Sequence, residues 1–262
     1  MKIVVLASGS KGNATYLKTP NTSILIDAGI SYRQMKLRLQ DHHFDVTNLS
    51  AVLVTHEHSD HVRGLTMLMK MTDVTLYTPT ETFDFLGRNP TMALPLDRFQ
   101  PIEAHQSFWI SDIKITPIPI SHDASNTIGF IIEYNGKKIV YMTDIGYLPK
   151  TDYPHIMNAD MYVFEANYDV SLLFSSERPY YLKKRIDSVK GHMSNADSAY
   201  HLTQLVGSKT KTIVLVHPSL ECNTPYHVLE TFESVFESYS LSLELFDIVI
   251  AQQNQTTKVI EL

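Results

Sequence analysis

Short continuous runs of apolar residues, each closed by polar or turn-forming residues, predict buried β-strands at Ile3–Ala7, Thr15–Lys18, Ile24–Ile26 and Ala51–Val54. The pattern returns at Val74–Tyr77, Ile113–Ile120, Ile128–Tyr134, Lys138–Met142, Met161–Phe164 and Thr212–Val216. Between them the apolar spacing lengthens to three and four, which predicts helices over Tyr32–Leu39, His61–Met69, Thr80–Leu86, Asn195–Leu205 and Tyr226–Glu237. Asn195 and Thr224 read as N-caps, the second followed by Pro225 at the first helical position. Met67, Met69 and Met71 read as core packing. No heptad run, low-complexity tract or Pro/Gly-rich linker interrupts the alternation, so residues 1–262 are expected to form a single mixed α/β domain.

Two stretches echo each other. Ser23–Gly29 reads SILIDAG and Lys138–Gly146 reads KIVYMTDIG; both are an apolar strand ending in Asp-x-Gly. Each follows a turn and an earlier strand, and Asn135-Gly136 has the composition of a type I′ hairpin turn. The echo suggests two related halves, sheet on sheet with helices outside.

Composition narrows the class. Hydrophobic residues make up 44% and charged residues 19%, a globular balance. The apolar stretch after Met1 is too short to span a membrane and lacks a basic leader, so the expected location is cytoplasmic, with no membrane partner. A single cysteine, Cys222, excludes an internal disulfide and a cysteine-based zinc cluster. The net charge of −6 is unlike that of a protein held on nucleic acid by charge alone; two bound divalent cations bring it closer to neutral.

The chemistry is concentrated in THEHSDHV, residues 55–62. His56 and His58 lie just past an apolar strand and two residues apart, so in extended backbone both imidazoles point the same way and can share one metal. Asp60 and His61 follow where the chain turns into a helix, positioned for a neighbouring metal. Imidazole and carboxylate suit zinc, manganese or iron. Three further metal-capable residues end apolar strands: His122 in PIPISHD, Asp144 in YMTDIG and His217 in IVLVHPS. The histidines at 42, 43, 105, 155, 201 and 227 have no ligand context and are assigned no role.

THEHSDH together with SILIDAG, ISHD, MTDIG and LVHPS, in that order, resembles the metallo-β-lactamase superfamily. The resemblance implies a four-layer αββα sandwich and two divalent ions, Mn2+ or Zn2+ with Fe2+ also accommodated. It implies His56, His58 and His122 on the first metal, Asp60, His61 and His217 on the second, and Asp144 on both. Asp27 then orients the ligands from behind. Having Asp60-His61 and Asp144 sets the chain apart from class B β-lactamases. With 45 residues after His217 and 21 between His122 and Asp144, it is expected to carry neither the glutathione-binding segment of glyoxalase II nor the arm of tRNase Z. The inserted domain of the β-CASP nucleases is also absent. The longer stretches LASGSKGNATYL, LVTHEHSDHVRGL, ISHDASNTIGF, FEANYD, RPYYLKKRI, GHMSN and VHPSLECNTP are similar to the YycJ/WalJ/VicX branch, described as DNA 5′→3′ exonucleases. Tyr168 departs from it where a histidine is expected, and Pro218 where a leucine is.

By that resemblance the expected reaction is phosphodiester hydrolysis at a DNA 5′ end by a hydroxide bridging the ions. Asp60 and His192 are the catalytic candidates, His192 opening a helix as in phosphodiesterase branches. Alternatives are a phosphodiesterase acting on RNA or on a small ester, or a non-catalytic regulatory protein that keeps the metal site. Ser10, Lys11 and Asn13 in the SGSKGN turn, whose amides suit a phosphate, are candidate substrate contacts, as are Asn167, Arg185 and Asn195. Glu165 and Asp169 either bind substrate or order the loop. Lys183, Lys184, Arg185 and Lys190 form a basic patch beside Tyr180 and Tyr181, suited to a nucleic-acid backbone and its end bases. No nucleotide-binding GK[ST] loop is present, so no nucleotide cofactor is expected. The sequence does not speak to oligomeric state.

Overall fold

The computed structural model describes every residue except Ala93. Its first strands are β1 (Lys2–Ala7), β2 (Ala14–Lys18), β3 (Ser23–Ile26) and β4 (Ala51–Leu53), then β5 (Thr75–Thr78), β6 (Phe99–Pro101), β7 (Phe108–Ile110) and β8 (Ile113–Pro119). After these come β9 (Ile128–Tyr134), β10 (Lys137–Met142), β11 (Met161–Glu165), β12 (Thr212–Val216), β13 (Asp247–Ile250) and β14 (Ile260–Glu261). The helices are α1 (Tyr32–Gln40), α2 (Ser59–Val62), α3 (Leu65–Met71), α4 (Thr80–Gly87) and α5 (Tyr153–Ile156), followed by α6 (Val170–Ser175), α7 (Tyr180–Ile186), α8 (Asn195–Leu205) and α9 (Pro225–Ser238). The strands make two seven-stranded sheets, ordered β14-β1-β2-β3-β4-β5-β6 and β13-β12-β11-β10-β9-β8-β7. The mixed α/β class with two sheets and helices is as expected.

By internal contacts the chain divides into two compact units, one of Met1–Pro119, Ala124–Ile128 and Gln252–Leu262, the other of Ile120–Asp123 and Gly129–Ala251. In the first unit β1–β3 run antiparallel, and β3, β4 and β5 then run parallel, with Ile26 beside Leu53 and Leu53 beside Tyr77. Parallel strands are flanked on both sides, and β3 and β4 are buried along their whole length. Met35 and Leu39 of α1, Leu65, Leu68 and Met69 of α3, and Phe83 and Leu86 of α4 join Val4, Tyr16, Leu25 and Val52 in one core.

In the second unit β10, β11 and β12 run parallel, pairing Met142 with Phe164 and Glu165 with Val216. Their carboxyl ends therefore lie level. The β9–β10 hairpin has the expected two-residue turn, with Asn135 and Gly136 both at positive φ (48° and 75°), the signature of type I′. Asp160 ties this sheet together just ahead of β11. It accepts from the Lys138 N–H at 3.0 Å and from Lys137 Nζ at 2.8 Å. Burial pushes its carboxyl upward, but these bonds outweigh burial and hold it below the usual carboxylate range. A depressed carboxylate contributes stability above its unfolded pKa of about 3.9 and loses it as pH falls through the folded value. Asp160→Asn is therefore expected to cost about 1–2 kcal/mol at neutral pH. Urea unfolding will show the gap from wild type closing in acid; a pH-independent gap would refute the assignment.

Three expectations are corrected. The helix expected over His61–Met69 is two helices, α2 and α3, broken at Arg63-Gly64. A Cβ on Gly64 would lie 2.0 Å from the Ile30 carbonyl oxygen, and its N–H donates to the Ala28 carbonyl at 2.7 Å, so the backbone presses in too closely for the helix to continue. Ser194, not Asn195, caps α8, its hydroxyl accepting from Asp197 N–H; Thr224 and Pro225 start α9 as expected. Of the three methionines only Met69 is buried; Met67 and Met71 face solvent because helical spacing puts them on another side.

Candidate functional site

In the first unit the chemistry sits past the carboxyl ends of the parallel neighbours β3 and β4. Asp27 follows β3 in the left-handed region, φ 60°, which turns a fully buried carboxylate back over the strand end. Its Oδ1 accepts from the Thr55 N–H at 2.8 Å, and its Oδ2 accepts from His61 Nδ1 at 2.8 Å. That bond fixes the His61 tautomer and leaves Nε2 as the lone-pair nitrogen. Thr55 Oγ1 lies 3.0 Å from His56 Nδ1, and the opposite ring nitrogen, Nε2, lies 3.1 Å from His58 Nδ1. His56, His58, Asp60 and His61 are thus gathered at the β4–α2 corner, as the motif predicts. Gly29 makes the corner possible: a Cβ there would fall 1.6 Å from the Asp60 carbonyl oxygen.

The SGSKGN turn is corrected from a phosphate cradle to a packed support. The N–H groups of Gly9, Lys11, Gly12 and Asn13 are taken by Asn13 Oδ1, Gln253 Oε1, the Gly9 carbonyl and the Asp60 carbonyl. Ser10 and Lys11 stay at the surface. Asn13 is buried, its Nδ2 3.3 Å from Asp60 Oδ2 and 3.0 Å from His61 Nε2, so it positions these candidate ligands rather than reaching outward.

The second unit repeats the logic. Asp144 follows β10 at φ 57°, and His217 follows β12 at φ 57°. Both Asp-x-Gly motifs thus share one geometry: a left-handed aspartate, then a glycine crowded by another segment's backbone, here Gly146 with its Cβ position 2.4 Å from the Val189 carbonyl oxygen. Left-handed non-glycine residues cost stability and persist where the surroundings enforce them. Asp144 is 2% exposed, and its Oδ1 lies 3.9 Å from His122 Nε2, 3.6 Å from His192 Nδ1 and 3.5 Å from His217 Nδ1. His122 Nδ1 donates to the Gly191 carbonyl at 2.9 Å, which again leaves Nε2 as the lone-pair nitrogen. Burial lowers the His122 pKa and favours that neutral form.

Glu165, at the end of β11, is the residue the sequence underplayed. It is fully buried. Its Oε1 accepts from His192 Nδ1 at 2.8 Å and His217 Nδ1 at 3.0 Å; its Oε2 accepts from the N–H groups of Ile145 at 2.6 Å and Met193 at 3.2 Å. Burial alone would raise its pKa, but His192 and these bonds hold it low. Asp144, Glu165, His192 and His217 have donor atoms within 4.8 Å of one another, a grouping that can hold a metal ion.

The remaining candidates are placed as follows. Asn167 donates to the His217 carbonyl at 2.7 Å, behind that ring. Asp169 caps α6. Asn195 is buried and exchanges side-chain hydrogen bonds with Asn223, a packing position. Arg185 is exposed and pairs with Asp123 through its Nε at 2.6 Å. The basic patch loses Lys183, which is buried and donates to the carbonyls of Phe174 and Ser176 at the end of α6.

The donor chemistry fits divalent metal. His61 and His122 are held by Nδ1 on a carboxylate or carbonyl, the arrangement that presents Nε2 to an ion. Asp144 and Glu165, two carboxylates buried beside imidazoles, call for compensating positive charge. Among the described residues no helix is long and apolar enough to cross a membrane.

A family model described as a beta-lactamase superfamily domain matches residues 22–217. The chain is 31% identical over 256 residues to the exodeoxyribonuclease YycJ of Bacillus anthracis, covering 97% of each. It is 35% identical over 224 residues to the exodeoxyribonuclease WalJ of Streptococcus pneumoniae, covering 85% of this chain and 83% of the relative. Among solved structures, the metallo-beta-lactamase fold protein YhfI of Bacillus subtilis superposes with a TM-score of 0.73 over 98% of both chains at 15% identity, a likeness of fold.

Proposed function

Because this chain belongs to the beta-lactamase superfamily and is a metal-dependent hydrolase, we propose that it is a DNA exonuclease releasing nucleotides from a 5′ end. The observation that carries the reading is the pair of carboxylate-anchored histidine clusters, each built at the carboxyl ends of parallel strands, in a chain whose relatives YycJ and WalJ are exodeoxyribonucleases. By the resemblance of its motifs to the superfamily, the proposed ligands are His56, His58 and His122 for one divalent ion, Asp60, His61 and His217 for a second, and Asp144 for both, with Mn2+ or Zn2+ as the proposed ions. Bound there, such ions supply Lewis acidity and neutralise the charge of a phosphodiester.

The chain's own residues do the rest. Asp27 holds His61 in one tautomer, and Glu165 does the same for His217. Glu165 also fixes Nδ1 of His192, a ring that remains partly exposed, so its opposite nitrogen is the group that meets substrate. His192 donates a proton to the departing oxygen. The exposed Tyr180 and Tyr181, with Lys184 beside Tyr180, supply stacking faces and charge for the strand.

The test is digestion of one DNA strand labelled at its 5′ or its 3′ end by chelated protein resupplied with Mn2+ or Zn2+. Matched RNA and a small phosphodiester run alongside. Metal-dependent release of 5′-terminal mononucleotides from DNA is the expected result. Turnover of RNA or the small ester with DNA untouched would overturn the substrate, and no turnover at all would overturn the reaction.

A further inference from the structure

Beside His192 the second unit has a cavity of about 360 Å³ that the reading above leaves unused. That volume falls in the range of small-ligand sites. It is lined by the Gly146–Leu148 stretch, by Lys150 and Tyr168, by the loop from Asp187 to Met193, and by Tyr200 and His201 of α8. Three features define what it takes. Its walls are aromatic: Tyr147 is 52% exposed, Tyr168 is buried, and Lys150 Nζ sits 5.6 Å from the Tyr200 ring centroid. Its lining cation is a lysine, Lys150, while His192, a member of the metal-capable cluster, also lines it. Two carboxylates, Asp187 and Asp197, also line it, Asp187 accepting from the Tyr168 hydroxyl at 2.9 Å. A flat aromatic ligand with one phosphate suits these walls, whereas a run of phosphates would meet the two carboxylates.

We propose that this cavity holds the terminal nucleoside of the strand, with its base stacked on Tyr147, its 5′-phosphate on Lys150 and its 3′-oxygen at His192. The inference rests on the phosphodiesterase reading and identifies the nucleoside as the leaving group. A water oxygen bonds to phosphorus, the bond from phosphorus to the 3′-oxygen breaks, and that oxygen takes a proton from His192. The phosphate stays on the shortened strand as its new 5′ end. Base stacking is tolerant of base identity, so the pocket recognises an end rather than a sequence.

The test uses the full-length, metal-loaded protein and two 5′-phosphorylated strands, one beginning with thymidine and one with an abasic tetrahydrofuran residue. Removal of the first residue is expected to be about tenfold faster in kcat/KM when the base is present. Tyr147→Ala abolishes that preference and Tyr147→Phe keeps it. Equal rates in the wild type, or a preference that survives Tyr147→Ala, would overturn the pocket while leaving the exonuclease reading intact. If neither strand is cut, the exonuclease reading fails, and direct titration with thymidine 5′-monophosphate against deoxyribose 5-phosphate decides the pocket. Tighter nucleotide binding that falls about tenfold in Tyr147→Ala supports it; equal binding of the two ligands refutes it.

Discussion

Asparagine in place of Asp144 is expected to lower metal-dependent hydrolysis about a thousandfold and to shrink the rise in melting temperature that Mn2+ or Zn2+ gives the wild-type protein. The carboxylate is 2% exposed, and one of its oxygens lies within 3.9 Å of a ring nitrogen of each of His122, His192 and His217. An amide fills the same volume but carries no charge and turns two N–H donors toward a site that must receive a cation. Transition-state charge stabilisation by a metal is worth several kcal/mol, and each 1.36 kcal/mol is a decade, which gives about three orders of magnitude. Chelating the wild-type protein should produce a loss of the same size. The thermal shift reads binding independently of turnover, because a ligand that binds only the folded state stabilises it by mass action. Unchanged turnover and an unchanged metal-induced shift in Asp144→Asn would remove Asp144 from the metal set.

What the sequence made legible was the set of elements that bury apolar residues on both faces. Every strand expected from a continuous apolar run is present, and the β9–β10 turn follows from Asn135-Gly136. The four strands that were not expected, β6, β7, β13 and β14, are the four edges of the two sheets. Edge strands are short and half-exposed, so FQP at β6 and DIVI at β13 carry no clear apolar signal. Four of the seven candidate ligands were visible because THEHSDHV packs them into a single stretch, and the Asp-x-Gly echo proved to be one backbone device used twice. What that stretch does not show is which amides and carboxylates hold the ligands from behind. Asn13 and Asn167 read as substrate contacts because a polar residue in a loop has no periodicity to mark it as buried. Lys183 read as part of a basic patch for the same reason: only the fold brings the α6 carbonyls to its ammonium.

Glu165 belongs with these, and it gives the second large expected effect. Glu165→Gln should lower kcat by about 10–100-fold at nearly unchanged KM, weaken metal binding by a similar factor, and cost about 1–3 kcal/mol of stability. The substitution keeps the shape, so the effect must come from hydrogen-bond bookkeeping. Glu165 accepts two bonds at each oxygen, from two imidazoles on one side and two backbone N–H groups on the other. Glutamine has one accepting oxygen. If that oxygen faces Ile145 and Met193, its amide N–H groups meet His192 and His217. Each ring must then carry its proton on Nε2, which takes from His217 the lone pair it would offer a metal and disfavours, at His192, the doubly protonated ring that can give a proton from Nε2 while Nδ1–H stays bonded. If the amide is reversed, two buried backbone donors face N–H groups and lose their acceptor. Glu165→Ala, which merely opens space, leaves the imidazoles free to choose a tautomer, so it should harm stability more than glutamine does and the metal-bound geometry about equally. Calorimetric titration of both variants with Mn2+ beside steady-state kinetics separates the cases. A glutamine variant with wild-type metal affinity and kcat would mean that Glu165 only fills the core at the end of β11.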